Sequence, residues 1–174
     1  RARSLTTIAG LYGSVDSRRE LYDAAVAAAS RAIELAPGFA DAHSTLGFTL
    51  FQGRLDAQSA RAPFERSVEL GAGEATVLAR FAQYSARTGD DAAAVPAMAR
   101  ALVLDPLNPL IYRAAGSIEY AARRYEASIP PVRRALTMNP RMSRAHAMRG
   151  DALLMLDRVG EARDAYGNEP SADF

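Results

Sequence analysis

Apolar residues in this chain recur at the three-to-four-residue spacing of a helical face, and the pattern predicts helices with no strand. Helical stretches are expected near residues 17–36, 39–53, 56–70, 74–88, 91–104, 109–122, 124–138, 142–156 and 158–167. Ser17 with Glu20 reads as a capping box for the first of them. The helices come in pairs. The first of each pair carries a large residue and then a small one four positions later, on one face. The second carries small, large and small residues, as in Ala94, Met98 and Ala101. Gly53 and Gly89 mark turns within pairs; Pro37, Pro106 and Pro140 each follow a helix and mark turns between pairs.

The pairs repeat with a fixed period. Pro106 and Pro140 are 34 residues apart; Ala72 fills the matching place 34 residues earlier, and Pro37 lies 35 before that. His43, Leu78, Tyr112 and His146 follow steps of 35, 34 and 34, as do Gly47, Ala82, Gly116 and Gly150. Three more series keep the same ruler: Ala25, Ala60, Ala94, Ser128 and Ala162; Ala29, Phe64, Met98, Val132 and Tyr166; and Ala32, Ser67, Ala101 and Ala135. The single extra residue falls between His43 and Ala60, near the turn around Gly53. One helix pair cannot bury its apolar face alone. A small residue in the first helix lets its neighbour approach, and the large residue of the second fills the gap. Stability then comes mostly from nearest-neighbour interfaces.

Composition agrees. Half of the residues are apolar, alanine supplies 37, and aromatics are few, which favours close helix packing over a sheet. The period, the small residue at Gly47, Ala82, Gly116 and Gly150, the alanines at 60, 94 and 162 and the closing prolines resemble the tetratricopeptide repeat over roughly residues 17–166. The resemblance implies an all-α, right-handed superhelical solenoid: a degenerate repeat 4–37, repeats 39–72, 74–106 and 108–140, and a partial repeat 142–170. Two departures stand out. The tryptophan usual at the start of the first helix is replaced by His43, Leu78, Tyr112 and His146, and residues 4–13 make a poor first helix.

In such arrays the first helices line a concave groove where ligands bind. The resemblance places Asp41, Ser44, Phe48, Gln52, Thr76, Gln83, Arg87, Arg113, Ser117, Tyr120, Arg144 and Asp151 there. The Lys and Asn with which some relatives grip a C-terminal carboxylate are replaced by Ser44 and Phe48, so that clamp is not expected.

Catalytic chemistry is poorly provided for. The two histidines share one register three periods apart, too far for a common metal or proton relay. Both are expected to be packing residues. Cysteine is absent, and no phosphate-cradling glycine loop, zinc motif or nucleophile elbow occurs. Acidic residues such as Asp56, Asp90 and Asp91 sit at helix starts, where the dipole favours them. Pro63, Pro96 and Pro130–Pro131 lie inside second helices, which predicts either exposed kinks or late helix starts. No enzyme activity, cofactor or metal is therefore expected, and no apolar run is long enough to span a bilayer.

All 21 basic residues are arginine, and net charge is +1, which argues against a general nucleic-acid binder. The charge is uneven: residues 110–150 hold eight Arg against Glu119 and Glu126. That excess is either a solvated face or a dock for an acidic protein surface; few aromatics are interleaved for base stacking. The stretch Ala101–Leu110, the run Tyr120–Tyr125 and the ending Asn168–Ser171 are similar to a subgroup of bacterial regulators. There the repeats follow an adenylate/guanylate cyclase, winged-helix or TolB-like part. That resemblance implies a cytoplasmic signalling role with a protein or peptide segment as partner, or a small ligand sensed in the groove as the alternative. The chain starts Arg1-Ala2-Arg3 without Met and is read as part of a longer protein. Its last segment, 168–174, is expected to lead into a further helix. Leu153, Leu156 and Tyr166 would then lack a cover, favouring self-association at that end.

Overall fold

The structure is a computed structural model that describes residues 2–12 and 15–170. Residues 171–174 of the expected connector and residues 13–14 lie outside the described residues. All described regular structure is helical, with no strand. The chain forms two compact units, residues 1–84 and 85–174.

The first unit holds α1 (Ala2–Tyr12), α2 (Val15–Leu35), α3 (Ala40–Phe48), α4 (Ala57–Leu70) and most of α5 (Ala75–Arg87). α1 is a regular helix packed against α2, where the sequence predicted a poor one. Tertiary contacts supply what its composition lacks: the Thr6 hydroxyl is buried, 2.9 Å from that of Thr49. α2 starts at Val15, so Ser17 lies within its first turn instead of capping it.

α3 does not stop at Phe48. It widens into one π turn, Thr49–Gly53, with the Arg54 amide donating to the Thr49 carbonyl at 3.2 Å. This turn absorbs the extra residue of the first full period. Gly53 is needed for space rather than for a left-handed conformation, because a Cβ there would meet the Tyr22 ring at 2.4 Å. Beyond the turn, Phe64 is fully buried with Ala60 and stacks on Tyr84 at 4.8 Å; Phe51 meets the same tyrosine edge-on at 5.3 Å. Tyr84 donates its hydroxyl to the Ala57 carbonyl.

The second unit holds the last turn of α5, then α6 (Asp91–Leu104), α7 (Pro109–Ala121), α8 (Tyr125–Met138), α9 (Ala145–Met155) and α10 (Val159–Gly167). Val132, Ala135, Met142 and Ala145 form one core cluster, with Tyr112 and Met148 packed on it. Ile129, Ala152, Leu153, Ala162 and Ala165 form a second, with Tyr120 and Leu156. Leu153 is 1% exposed, contrary to the expectation that it lacks a cover. It turns back onto α8 and α10, and Leu156 is half-buried beside it. The apolar residues left open at this end are Leu154, Met155, Val159 and Tyr166.

The small-and-large series are contacts. A Cβ on Gly47 would meet the Phe64 ring at 2.9 Å; on Gly116, Val132 at 2.4 Å; on Gly150, the Tyr166 ring at 2.7 Å. The helices holding Pro63, Pro96, Pro130 and Pro131 start at Ala57, Asp91 and Tyr125 and run through the prolines, so late starts do not explain them. α9 does begin late, at Ala145 instead of near 142, because Arg144 is left-handed at φ 65°. Its open amides are taken by a carboxylate from further along the chain. Glu169 accepts from the backbone N–H of Arg144 and, at 2.8 Å, from that of Ala147. The first described residues of the expected connector thus fold back onto α9.

Candidate protein-binding face

In the first unit the sequence-predicted face is largely used by the fold. Arg80 on α5 reaches across to α3. It pairs with Asp41 at 3.4 Å, donates to the Thr45 hydroxyl at 3.2 Å and to the Ser44 hydroxyl at 3.4 Å, and lies 5.2 Å from the centre of the Phe48 ring. Burial pulls its guanidinium below the usual arginine range, with Asp41 opposing the shift. Ser44 is fully buried, so it offers no hydroxyl to a ligand. Asp41 and Phe48 are half-buried partners of Arg80, and Arg3 also approaches Asp41 at 3.8 Å. Arg80 was missed as the organiser because its register is that of a packing residue. The signal was an arginine one helix away from an Asp, two hydroxyls and a phenyl ring. Thr76 and Gln83 are half-buried on α5. Gln52 lines a separate cavity of about 550 Å³ with Arg18, Arg19, Tyr22, Asp23 and Arg54, in which Arg54 and Asp23 pair.

In the second unit the predicted residues fare differently. Ser117 is buried and donates to the Ala114 carbonyl at 2.7 Å, so it serves α7 itself. Asp151 is exposed and accepts from the Tyr166 hydroxyl at 2.7 Å. That bond, then burial, pushes the Tyr166 phenol up to about 12. Tyr120 is half-buried, packs edge-on against Tyr125 at 5.3 Å, and its phenol is raised by burial and by Asp151. Arg113 is half-buried on α7, while Arg87 at the end of α5 and Arg144 just before α9 are exposed. Burial, then Arg144, then Arg87 hold the Arg113 guanidinium below its usual range. The Arg113 Nε is buried with no hydrogen-bond partner.

The histidines have a common structural job. His43 Nε2 lies 2.9 Å from the Pro37 carbonyl and His146 Nε2 lies 2.9 Å from the Pro140 carbonyl. A carbonyl only accepts, so Nε2–H donates in both and ties the first helix to the turn before it. Among the described residues no group of three His, Asp or Glu side chains could hold a metal ion. No described helix is long and apolar enough to cross a membrane.

No curated protein matches this chain. Solved structures do. The crystal structure of MamA is similar at a TM-score of 0.64 and 17% identity, over 91% of this chain and 94% of that one. PilF of Pseudomonas aeruginosa is similar at 0.68 and 18%, over 96% and 74%. Cut9, from the APC/C Cut9–Hcn1 hetero-tetramer, is similar at 0.72 and 16%, over 97% of this chain and 33% of that one. At such identities the likeness is one of fold, and it agrees with the all-α class expected from the repeat. The tetratricopeptide repeat model matches residues 79–138 and again 113–172, the second match displaced by one 34-residue period. Together with the small-and-large contacts at Gly47, Gly116 and Gly150, this places the chain in the tetratricopeptide repeat family.

Proposed function

We propose that this chain is the interaction module of a cytoplasmic bacterial signalling protein and holds a segment of a partner protein on its first helices. The framework is the single array with repeats at 39–72, 74–106 and 108–140, flanked by a degenerate repeat 4–37 and a partial one 142–170. Family membership supports the general role, since tetratricopeptide arrays are protein-interaction scaffolds. The observation that carries the location is the mixed guanidinium and phenol surface of the second unit, where Arg113 and Tyr120 stand on α7 half-buried and Arg87 and Arg144 are open. Tyr and Arg in partly desolvated settings are the residue types that dominate binding energy at protein interfaces. The signalling context rests on the resemblance of Ala101–Leu110 and Tyr120–Tyr125 to regulators that carry a cyclase, winged-helix or TolB-like part.

A displayed peptide library selected on the full chain tests this reading. Selected peptides should lose about tenfold or more in affinity with Tyr120→Ala, as for a buried aromatic anchor. Equal binding by the variant, or no selected peptide at all, would remove the face from consideration. Self-association through the open Leu154, Met155, Val159 and Tyr166 is a second mode. Sedimentation of the wild type against Leu154→Arg decides it, because only a dimer built there dissociates. The cavity of about 550 Å³ in the first unit favours the small-ligand alternative. Stabilisation of the fold by a small anion that Arg19→Ala abolishes would support it; the absence of any such shift would end it.

A further inference from the structure

The first full period departs from the 34-residue count, and the cavity of the first unit lies at that departure. The extra residue is taken up by the π turn Thr49–Gly53, and two residues of that turn, Gln52 and Gly53, line the cavity of about 550 Å³. Single π turns inside α-helices are found frequently at functional sites. Arg54 and Leu55, just past the turn, line it as well, and α2 supplies the rest, from Arg18 to Asp23. Two contacts hold the two elements together around this space. The Tyr22 ring lies against Gly53, where a Cβ would come within 2.4 Å of it, and Asp23 pairs with Arg54.

We propose that this cavity binds a phosphorylated sugar, with Arg18, Arg19 and Arg54 on the phosphate and Tyr22 and Gln52 on the sugar hydroxyls; the proposal rests on the small-ligand reading of the same cavity and deepens it. Charge selects an anion, because three guanidinium groups line the space against the single carboxylate of Asp23. The planar fork of a guanidinium matches two phosphate oxygens with parallel hydrogen bonds, and the Asp23 pair holds that of Arg54 in place. Size selects an organic anion. The volume falls within the range of small-molecule sites, roughly 300–1,000 Å³, and a bare phosphate ion would leave most of it empty. The lining selects a sugar. Leu55 is the one aliphatic side chain among the lining residues, so a fatty or aromatic acid would set its apolar body against polar groups. Hydroxyls both donate and accept, and so do the Gln52 amide and the Tyr22 phenol. Leu55 itself is 85% exposed and held at φ 57°, a costly place for leucine in the empty fold. At the rim it covers the apolar face of a bound sugar ring.

The test titrates the full chain by calorimetry with ribose 5-phosphate, uridine 5′-monophosphate, uridine and inorganic phosphate. At least one of the two phosphate esters should bind, and uridine and inorganic phosphate, each lacking half of the interactions, should bind about tenfold more weakly or worse. Tighter binding of the nucleotide than of ribose 5-phosphate identifies the ligand as a mononucleotide; the reverse identifies a free sugar phosphate. Uridine binding as tightly as its phosphate would overturn the role of the arginines. Arg19→Gln and Arg54→Gln should each weaken the bound ester about tenfold, as for loss of one charge-assisted pair. Arg19 is exposed and carries the test alone if Arg54→Gln lowers the urea midpoint. Arg31→Gln removes the same charge twelve residues further along α2, roughly 18 Å away at the helical rise. It should change affinity less than about twofold, since that distance exceeds the screening length. Equal losses in all the arginine variants would show a general charge effect and overturn the site. Leu55→Gly should raise the thermal midpoint yet weaken the ester about threefold, a split that a purely structural leucine would not produce. Unchanged binding would overturn the placement of the ligand against this rim. If a small anion stabilises the fold through Arg19 while neither ester binds more tightly than that anion, the sugar assignment falls and the small-ligand reading stands. If neither anion nor ester gives heat or stabilisation, both fall together.

Discussion

Gly116 shows how much one hydrogen atom in place of a side chain can decide. Its missing Cβ leaves room for Val132, and behind that methyl lies the Ser128 carbonyl at 3.1 Å, a backbone atom that cannot rotate away. Gly116→Leu should therefore cost about 2–4 kcal/mol through overpacking, read as a lower midpoint in denaturant. An unchanged midpoint would mean the α7–α8 contact is not as described. The histidines sit at the other end of the scale. His43→Phe and His146→Phe keep a flat ring but lose the bond to Pro37 or Pro140, at about 0.5–1.5 kcal/mol each. The sequence identified them as bulky packing residues and missed that bond, which depends on the turn geometry six residues earlier. Tyr166 carries a pH signature. Its phenol is raised from 10.0 to about 12 in the fold, so folding favours the neutral form. That contribution is full below pH 10 and is lost as pH climbs towards about 12. Tyr166→Phe keeps the ring over Gly150 while removing the ionisation. Ultraviolet titration of the variant should lack one tyrosine titrating near pH 12, and its stability should fall less steeply across that window.

At the scale of the element, the turns within helix pairs share one backbone requirement. Leu55, Gly89, Arg123 and Asp157 all have positive φ, and they are spaced by one period each. Gly89 meets that requirement without strain and Asp157 at little cost, whereas Leu55 and Arg123 do not. Arg123→Gly and Leu55→Gly should therefore each stabilise the chain by about 0.5–1 kcal/mol, seen as higher thermal midpoints. Loss of stability in both would mean that these side chains hold the turns. This series was hidden in the sequence because two of its four members, Leu55 and Arg123, are residues that normally avoid the conformation. The helices themselves were legible: the period, the pairing and the small-and-large contacts follow from spacing, since a helix face is a matter of position alone. What spacing could not reveal was α1, whose poor propensity is overridden by docking, and the late start of α9, which depends on Glu169 from beyond the next helix.

For the whole chain, nearest-neighbour coupling sets how far a change is felt. Glu169→Ala should cost about 1 kcal/mol, the usual value of a lost cap, and the effect should stay local. Hydrogen exchange should speed up at the amides of Arg144 and Ala147 and remain unchanged along α3 and α4. Acceleration throughout both units would show a single cooperative body instead. The candidate face was half legible on the same grounds. Register puts Arg113 and Arg144 on first helices, but it cannot tell which positions the fold has consumed. Ser44 and Ser117 proved internal, and Asp41 and Phe48 belong to Arg80. Only a structure shows which side chains the fold has already used.

The π turn at Thr49–Gly53 bears on how such a chain evolves. A codon gained in this region is absorbed within five residues, and by Ala60 every series is back in phase. The hairpin that follows inherits its neighbours' packing unaltered, so selection has nothing downstream to repair. The same insertion in α7 ahead of Gly116 would carry the glycine out from under Val132 and put a side chain in its place. Tolerance to length change is thus unevenly distributed: the ends of first helices can accept new residues, while the crossing points of helix pairs hold the lineage to its count.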